Sequence, residues 1–279
     1  MKLFKRVLAA VLAGTMAVTM LAACSNSDAG SGDSSASGSS DSTSASESTE
    51  KEKFILGLDD SFPPMGYRDE NNEIVGFDID LAQAVCDELG MELVVQPISW
   101  DSKEMELNNG NITCIWNGLS VDEERQEKMN LSKPYMKNHM VVVVNKDSDI
   151  TSREDLIGKN VGVQKASTAE AAAADDEFIS QSNMVPYDTN VLALTDLPTG
   201  RIDAVVVDEV VANYQLKGSD DFVILDDMLS EEDYAIAFAK EGSDDIKAKV
   251  EAALDKLVEN GKAAEISEKW FGKNVLVIE

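Results

Sequence analysis

The chain has 279 residues and a formal charge of −28. So acidic a surface is repelled by phosphate backbones and by anionic headgroups, which excludes nucleic acid and a polybasic grip on a membrane. Residues 1–23 carry Lys2, Lys5 and Arg6 and no acid, so the remainder stands at −31. That diffuse field weakly favours a zwitterion or a cation over an anion as small ligand, because salt screens it within about 10 Å.

Met1 to Ala23 has the plan of a secretory signal: a basic start, an apolar run from Val7, then small residues. The run ends Leu21-Ala22-Ala23-Cys24, which resembles the lipobox of bacterial lipoproteins. That resemblance implies a lipid on Cys24 and a protein tethered outside the cytoplasmic membrane with no spanning helix left. Residues 24–53 hold Ser, Thr, Gly, Ala and acids with no large apolar side chain, the composition of a flexible linker.

Phe54 to Leu58 is an apolar run expected as a strand, ended by Asp59, Asp60, Ser61 and the Pro63-Pro64 breaker. Tyr67 to Glu73 reads as a turn or hairpin. Gly76 to Leu81 opens a helix in which Ile79, Ala82, Cys86 and Leu89 recur at helical spacing, and Gly90 stops it. Leu93 to Gln96 is a strand, Trp100 to Asn109 a helix, and Ile112 to Trp116 a buried strand. Met140 to Val144 is another. The alternation then restarts: a short helix capped by Thr151 with Glu154, a strand at Val161 to Val163, and an Ala-rich helix capped by Ser167 with Glu170. A strand at Val185 to Tyr187, a helix over Val191 to Leu197 and a strand at Ala204 to Val207, ending on Asp208, follow. Phe222 to Leu225 and Ala235 to Ala239 complete the strands. Ser243 starts a helix with Ile246, Val250, Leu254 and Leu257 on one face, and a last helix carries Ile266 and Trp270. Two βα blocks in about 225 residues predict an α/β fold of two lobes, each a mainly parallel sheet flanked by helices.

Asn117 to Arg125 is the stretch where a ligand is expected. A buried strand turns polar at Gly118 and Ser120 and runs into an acidic helix start, the place where open α/β sheets bind ligands. Ser120 and Glu123 have the spacing of a capping box. Arg125, one turn on, carries a planar fork suited to a carboxylate, and on spacing alone also reads as pairing with Asp122 or another acidic neighbour on a solvated face. Cys86 and Cys114 fall on a helix face and in a strand; two separate buried thiols and a disulfide are both open.

Gly76 to Leu89 (GFDIDLAQAVCDEL) resembles the signature of the family 3 extracellular solute-binding proteins, the polar amino-acid receptors of ABC importers. The similarity continues through Phe62-Pro63-Pro64, Trp100-Asp101, Leu107 to Gly110, Asn117 to Arg125, Ser132 to Tyr135, Val161 to Glu170, Gly200 to Ala204, Val207-Asp208 and Lys269 to Gly272. It implies a type II periplasmic-binding-protein fold, with lobe 1 at 54–140 plus 235–279 and lobe 2 at 141–234. The two crossing strands would lie near Asn138–Val141 and Asp233–Ala235.

By the same resemblance, Arg125 grips the α-carboxylate of an L-amino acid together with the backbone amide of Thr168, next to Ser167 at a helix start. Asp208 takes the α-ammonium with the Ser120 hydroxyl and the Gly118 carbonyl. Phe62 and Trp100 sandwich the side-chain stem, and Asn117 and Gln164 face the ligand. Asp59 matches an acid that contacts a distal cation in some receptors. Ala166 stands where the family has glycine. On the residues alone, Asp208 also reads as a helix cap, Phe62 and Trp100 as core, and Trp116 as core or a pocket wall.

The implied function is capture of a polar L-amino acid by a monomer, with no cofactor or metal, for the permease and ATPase subunits of an ABC importer. A sensor reporting to a membrane partner, or a dehydratase on the same fold, are the alternatives. His139 is the single histidine, and no nucleophile–base pair or phosphate loop accompanies the clamp, which speaks against an enzyme.

Overall fold

A computed structural model describes residues 51–217 and 219–278. The leader, Cys24 and all but the last three residues of the linker lie outside them. Folded structure starts one residue before Phe54: β1 (Lys53–Leu58) is followed by a small antiparallel sheet of β2 (Ser61–Phe62), β3 (Gly66–Arg68) and β4 (Ile74–Val75). Helix α1 (Phe77–Leu89) begins at Gly76, where a Cβ would lie 2.1 Å from the Met65 carbonyl oxygen, and ends at Gly90 in the left-handed conformation. It buries Phe77, Leu81, Ala82, Val85 and Cys86. Next come β5 (Glu92–Pro97), a 3-10 turn at Trp100–Ser102, α2 (Lys103–Asn108), β6 (Cys114–Ser120), α3 (Glu123–Lys128), β7 (Met129–Leu131) and β8 (Met136–Asn145).

The second block holds a 3-10 turn at Arg153–Leu156, β9 (Asn160–Gln164), α4 (Thr168–Asp175), β10 (Asn183–Tyr187), α5 (Asn190–Asp196), β11 (Ala204–Asp208), α6 (Glu209–Gln215) and β12 (Phe222–Ile224). The chain returns through β13 (Ser230–Ala239) to α7 (Asp244–Glu259) and α8 (Lys262–Phe271). Val250, Leu254 and Leu257 of α7 are buried, as their spacing predicts.

One continuous sheet runs β10-β9-β11-β8-β13-β6-β1-β5. Each end is a parallel trio, β5-β1-β6 and β10-β9-β11. Between them the long strands β8 and β13 pair antiparallel, Met140 opposite Ser230 through Met136 opposite Tyr234. The strand pairing between the two halves of the sheet runs through this ribbon. Its far ends bury Val141–Val144 in one half and Tyr234–Phe238 in the other.

Three local readings are corrected. Ser120 does not cap α3: β6 continues to Ser120, and Asp122 is the N-cap, accepting from the Arg125 amide at 2.7 Å. Thr151 does not cap the next turn; Ser152 and Asp155 form that capping box one residue later. The helix expected from Trp100 starts as a 3-10 turn and becomes α-helical only at Lys103. Cys86 and Cys114 are separate buried thiols.

Candidate functional site

Residues in or just beyond the carboxyl ends of β1, β6, β9 and β11, with others from neighbouring turns and helix starts, line one cavity. Its lining is Asp59, Phe62, Trp100, Asn117, Gly118, Ser120, Arg125, Gln164, Ser167, Thr168 and Asp208. All eleven residues singled out in the sequence therefore come together. The cavity volume is about 10 Å³, room for one water; a larger guest enters only if the halves part.

The first-half wall is built on β6. Gly118 sits at φ +54 within the strand, and a Cβ there would lie 2.9 Å from Phe62 and 3.0 Å from Tyr234. Only glycine makes this bend without strain. Its amide donates to Asp78 Oδ2 at 2.7 Å, and Tyr135 Oη donates to both oxygens of the same carboxyl. Asp78 belongs to the α1 motif and is fully buried; burial pushes its pKa up to about 7 against the pull of those bonds. Asn117 Oδ1 accepts from the Asp59 amide at 3.0 Å. Trp116, one residue back, is wholly buried core.

Arg125 is 6% exposed. Its Nη1 donates to the Ser120 carbonyl at 2.7 Å and its Nε faces Asp122 Oδ2 at 3.3 Å. The pairing with Asp122 is present and steadies the stem of the fork, while the guanidinium lines the cavity.

From the second half, Ser167 caps α4, its hydroxyl accepting from the Glu170 amide, so the capping expected there is present. The Glu170 carboxylate takes the Ala166 amide at 2.8 Å rather than that of Ser167. Ala166 adopts φ +54, a left-handed conformation that an alanine resists. Thr168 Oγ1 reaches Ser120 Oγ at 3.3 Å and Glu232 at 3.1 Å. Gln164 Nε2 donates to Asp59 Oδ2 at 2.8 Å, and Asn190 Nδ2 donates to Gln164 Oε1 at 3.1 Å. Burial raises the pKa of Asp59.

Asp208 precedes α6 but makes no capping bond with its side chain. Its carboxyl instead accepts from Tyr234 Oη at 2.6 Å and Asn138 Nδ2 at 2.8 Å, one donor from each strand of the ribbon. Burial, with Glu232 adding a like charge, pushes its pKa up to about 7 against the Tyr234 bond. Tyr234, Asn138, Asp78, Glu232 and Asn190 are site residues that the sequence reading missed. Polar residues inside the expected crossing strands were the available signal for Tyr234 and Asn138.

A guanidinium from one half of the sheet and a carboxyl group from the other thus share one small, water-poor space. The model of the bacterial extracellular solute-binding proteins, family 3, matches residues 54–273. The chain belongs to this family. As a family 3 solute-binding protein it has well-covered relatives. One is the arginine-binding extracellular protein ArtP of Bacillus subtilis, 32% identical over 256 residues, spanning 90% of this chain and 92% of the relative. Another is the L-cystine-binding protein TcyJ of Escherichia coli, 28% identical over 233 residues, spanning 81% and 85%. Among solved structures, Tv2483 bound to L-arginine matches with a TM-score of 0.79 at 30% identity, covering 82% of this chain and 94% of that one. A Streptococcus pneumoniae ABC uptake transporter substrate-binding protein with bound histidine matches with a TM-score of 0.76 at 38% identity, covering 81% and 94%. Family 3 members are extracellular solute-binding proteins, and the two-lobed type II architecture read from the sequence is the one their structures share.

Among the described residues no cluster of three or more His, Cys, Asp or Glu is placed to hold a metal ion, and no helix is long and apolar enough to cross a membrane.

Proposed function

We propose that this protein captures a polar L-amino acid between its lobes and hands it to the permease and ATPase subunits of an ABC importer. The observation that carries this reading is Arg125 and Asp208, buried on opposite sides of one cavity. Removing both charges of an amino acid from water costs several kcal/mol each unless each is paired and hydrogen-bonded. Arg125 and the Thr168 amide at the α4 start supply the partners for the carboxylate. Asp208, with the Ser120 hydroxyl and the Gly118 carbonyl, supplies those for the ammonium. Phe62 and Trp100 enclose the stem, and Asp59 with Gln164 and Asn117 meets the distal group. The carboxyl group of Asp59 favours a cationic side chain; arginine and histidine are bound in the two neighbouring structures above.

Lobe 1 in this reading is 54–140 plus 235–279 and lobe 2 is 141–234, with hinge bending in the β8–β13 ribbon. Gln164–Asp59 and Thr168–Ser120 join the lobes across the cavity, and the guest replaces them. The protein acts as a monomer without chemistry on its ligand, tethered to the outer face of the cytoplasmic membrane through lipid on Cys24.

Titration calorimetry against the twenty proteinogenic L-amino acids and L-cystine tests this. The expected result is saturable one-to-one binding of at least one polar amino acid near the micromolar range, about −8 kcal/mol, with the ligand recovered unchanged. Conversion of the ligand to a product, or no binding across the set, overturns it.

A further inference from the structure

Lys103 is the least exposed of the described lysines, 3% accessible, while the other described lysines lie at the surface or near it. It does not line the cavity. Its ammonium sits over the Trp100 ring, 4.8 Å from the centroid, and donates to the Trp100 carbonyl at 3.2 Å. It also reaches across the cleft to the Ala166 carbonyl at 2.9 Å. Trp100 is a wall of the cavity, and Ala166 is the last residue before the Ser167–Thr168 start of α4.

The Ala166 end is equally distinctive. A left-handed alanine persists only where its surroundings over-determine it. Here both flanking peptide groups are held by side chains, the amide by Glu170 and the carbonyl by Lys103. Because the peptide is planar and trans, fixing the Ala166 carbonyl also fixes the direction of the Ser167 amide. The Glu170 clamp is internal to lobe 2 and survives opening. The Lys103 clamp comes from lobe 1 and exists only when the lobes are together.

We propose that Lys103 is a positioning residue for ligand capture, a latch that holds the Ala166–Thr168 turn over the Arg125 end of the cleft in the closed form. The inference rests on the proposed amino-acid site, whose closure the latch serves. Burial and the nearby Arg125 charge push the Lys103 pKa down to about 8, so it remains an ammonium at neutral pH. The ring and the two carbonyls offset its lost hydration. Because its bonds lie outside the cavity, a guest does not compete for them. The latch therefore acts on release and not on encounter.

Lys103→Met keeps the length of the side chain and removes the donor; Lys103→Arg keeps a cation. Stopped-flow kinetics with the tightest-binding amino acid from the calorimetric set reads both. The expected result for Lys103→Met is dissociation about tenfold faster, the loss of one charged hydrogen bond, with association unchanged within twofold. The melting temperature of the ligand-free protein stays at the wild-type value, and Lys103→Arg recovers part of the slow release. Lys103→Gln, a neutral donor, is read in parallel, and faster release is expected from it too. Wild-type dissociation in both neutral variants overturns the latch while leaving the amino-acid site standing. A slower association or a lowered melting temperature in both assigns Lys103 to packing under Trp100 and overturns it as well. A wild type that binds no amino acid fails at the first step and removes both readings.

Discussion

Arg125 is held at two points by its own half of the molecule, the Ser120 carbonyl and Asp122, before any ligand arrives. That preorganisation lowers the entropy lost when the fork closes on a carboxylate. Arg125→Ala is expected to lose 2–5 kcal/mol or so of affinity, measured by calorimetry, while its circular dichroism spectrum stays that of the wild type. Affinity within a factor of two of wild type would refute the assignment. Ala166 offers the opposite kind of change. At φ +54 it carries backbone strain that glycine lacks, so Ala166→Gly is expected to raise stability by about 1 kcal/mol in urea unfolding. A lower urea midpoint would mean that the turn relies on alanine's stiffness. At this scale the sequence was informative wherever a residue's chemistry is local: Gly90 as helix stop, Ser167 as cap, Trp116 as core. It misled at Ser120, whose spacing to Glu123 imitates a capping box although the strand has not yet ended. It was silent on Lys103, although Leu107 lies four residues on and both are buried on one face of α2.

Among the elements, the parallel trios were legible because buried strands read as apolar runs and their helices as 3.6-residue periods. The ribbon was expected only through the family resemblance, near Asn138–Val141 and Asp233–Ala235. Ser230 to Asp233 has no apolar residue, so the residue pattern alone marks only the second part of β13 as strand. β7 and the β2–β4 sheet are two or three residues per strand, too short for any period to register. The ribbon is also where the site is anchored: Asn138 from β8 and Tyr234 from β13 both hold Asp208. Long-range bonds of this kind leave no mark on spacing, which explains why the lining was legible through its motif and its support was not. Tyr234→Phe removes a donor that keeps the Asp208 pKa from rising further. The variant is expected to bind its amino acid about tenfold more weakly at pH 7, with a larger deficit at pH 6. A deficit that does not grow on acidification would detach Tyr234 from the ammonium site.

For the molecule as a whole, the buried carboxyls set the response to pH. Asp78 and Asp208 have pKa values raised from 3.8 to about 7. Between roughly pH 4 and pH 7 the folded protein therefore keeps protons that the unfolded chain has given up. Their contribution is present below that window and is lost as pH rises through it, so the ligand-free protein is expected to melt at a lower temperature at pH 8 than at pH 5.5. Ligand affinity runs the other way, because an ammonium needs Asp208 ionised: binding is expected to weaken as pH falls from 8 to 6. Calorimetric scans without ligand and titrations with it, over the same pH series, check both signs. Parallel trends in stability and affinity would contradict the pairing of Asp208 with the ammonium.

A crystal structure of the protein grown with its tightest-binding amino acid decides the matter. The α-carboxylate should lie within hydrogen-bond distance of Arg125 and of the Thr168 amide, the α-ammonium should sit against Asp208, and the β8–β13 ribbon should separate the two groups that hold it. A ligand whose carboxylate and ammonium are both bound by one lobe, or that lies outside this cleft, would leave the two-sided clamp without a role.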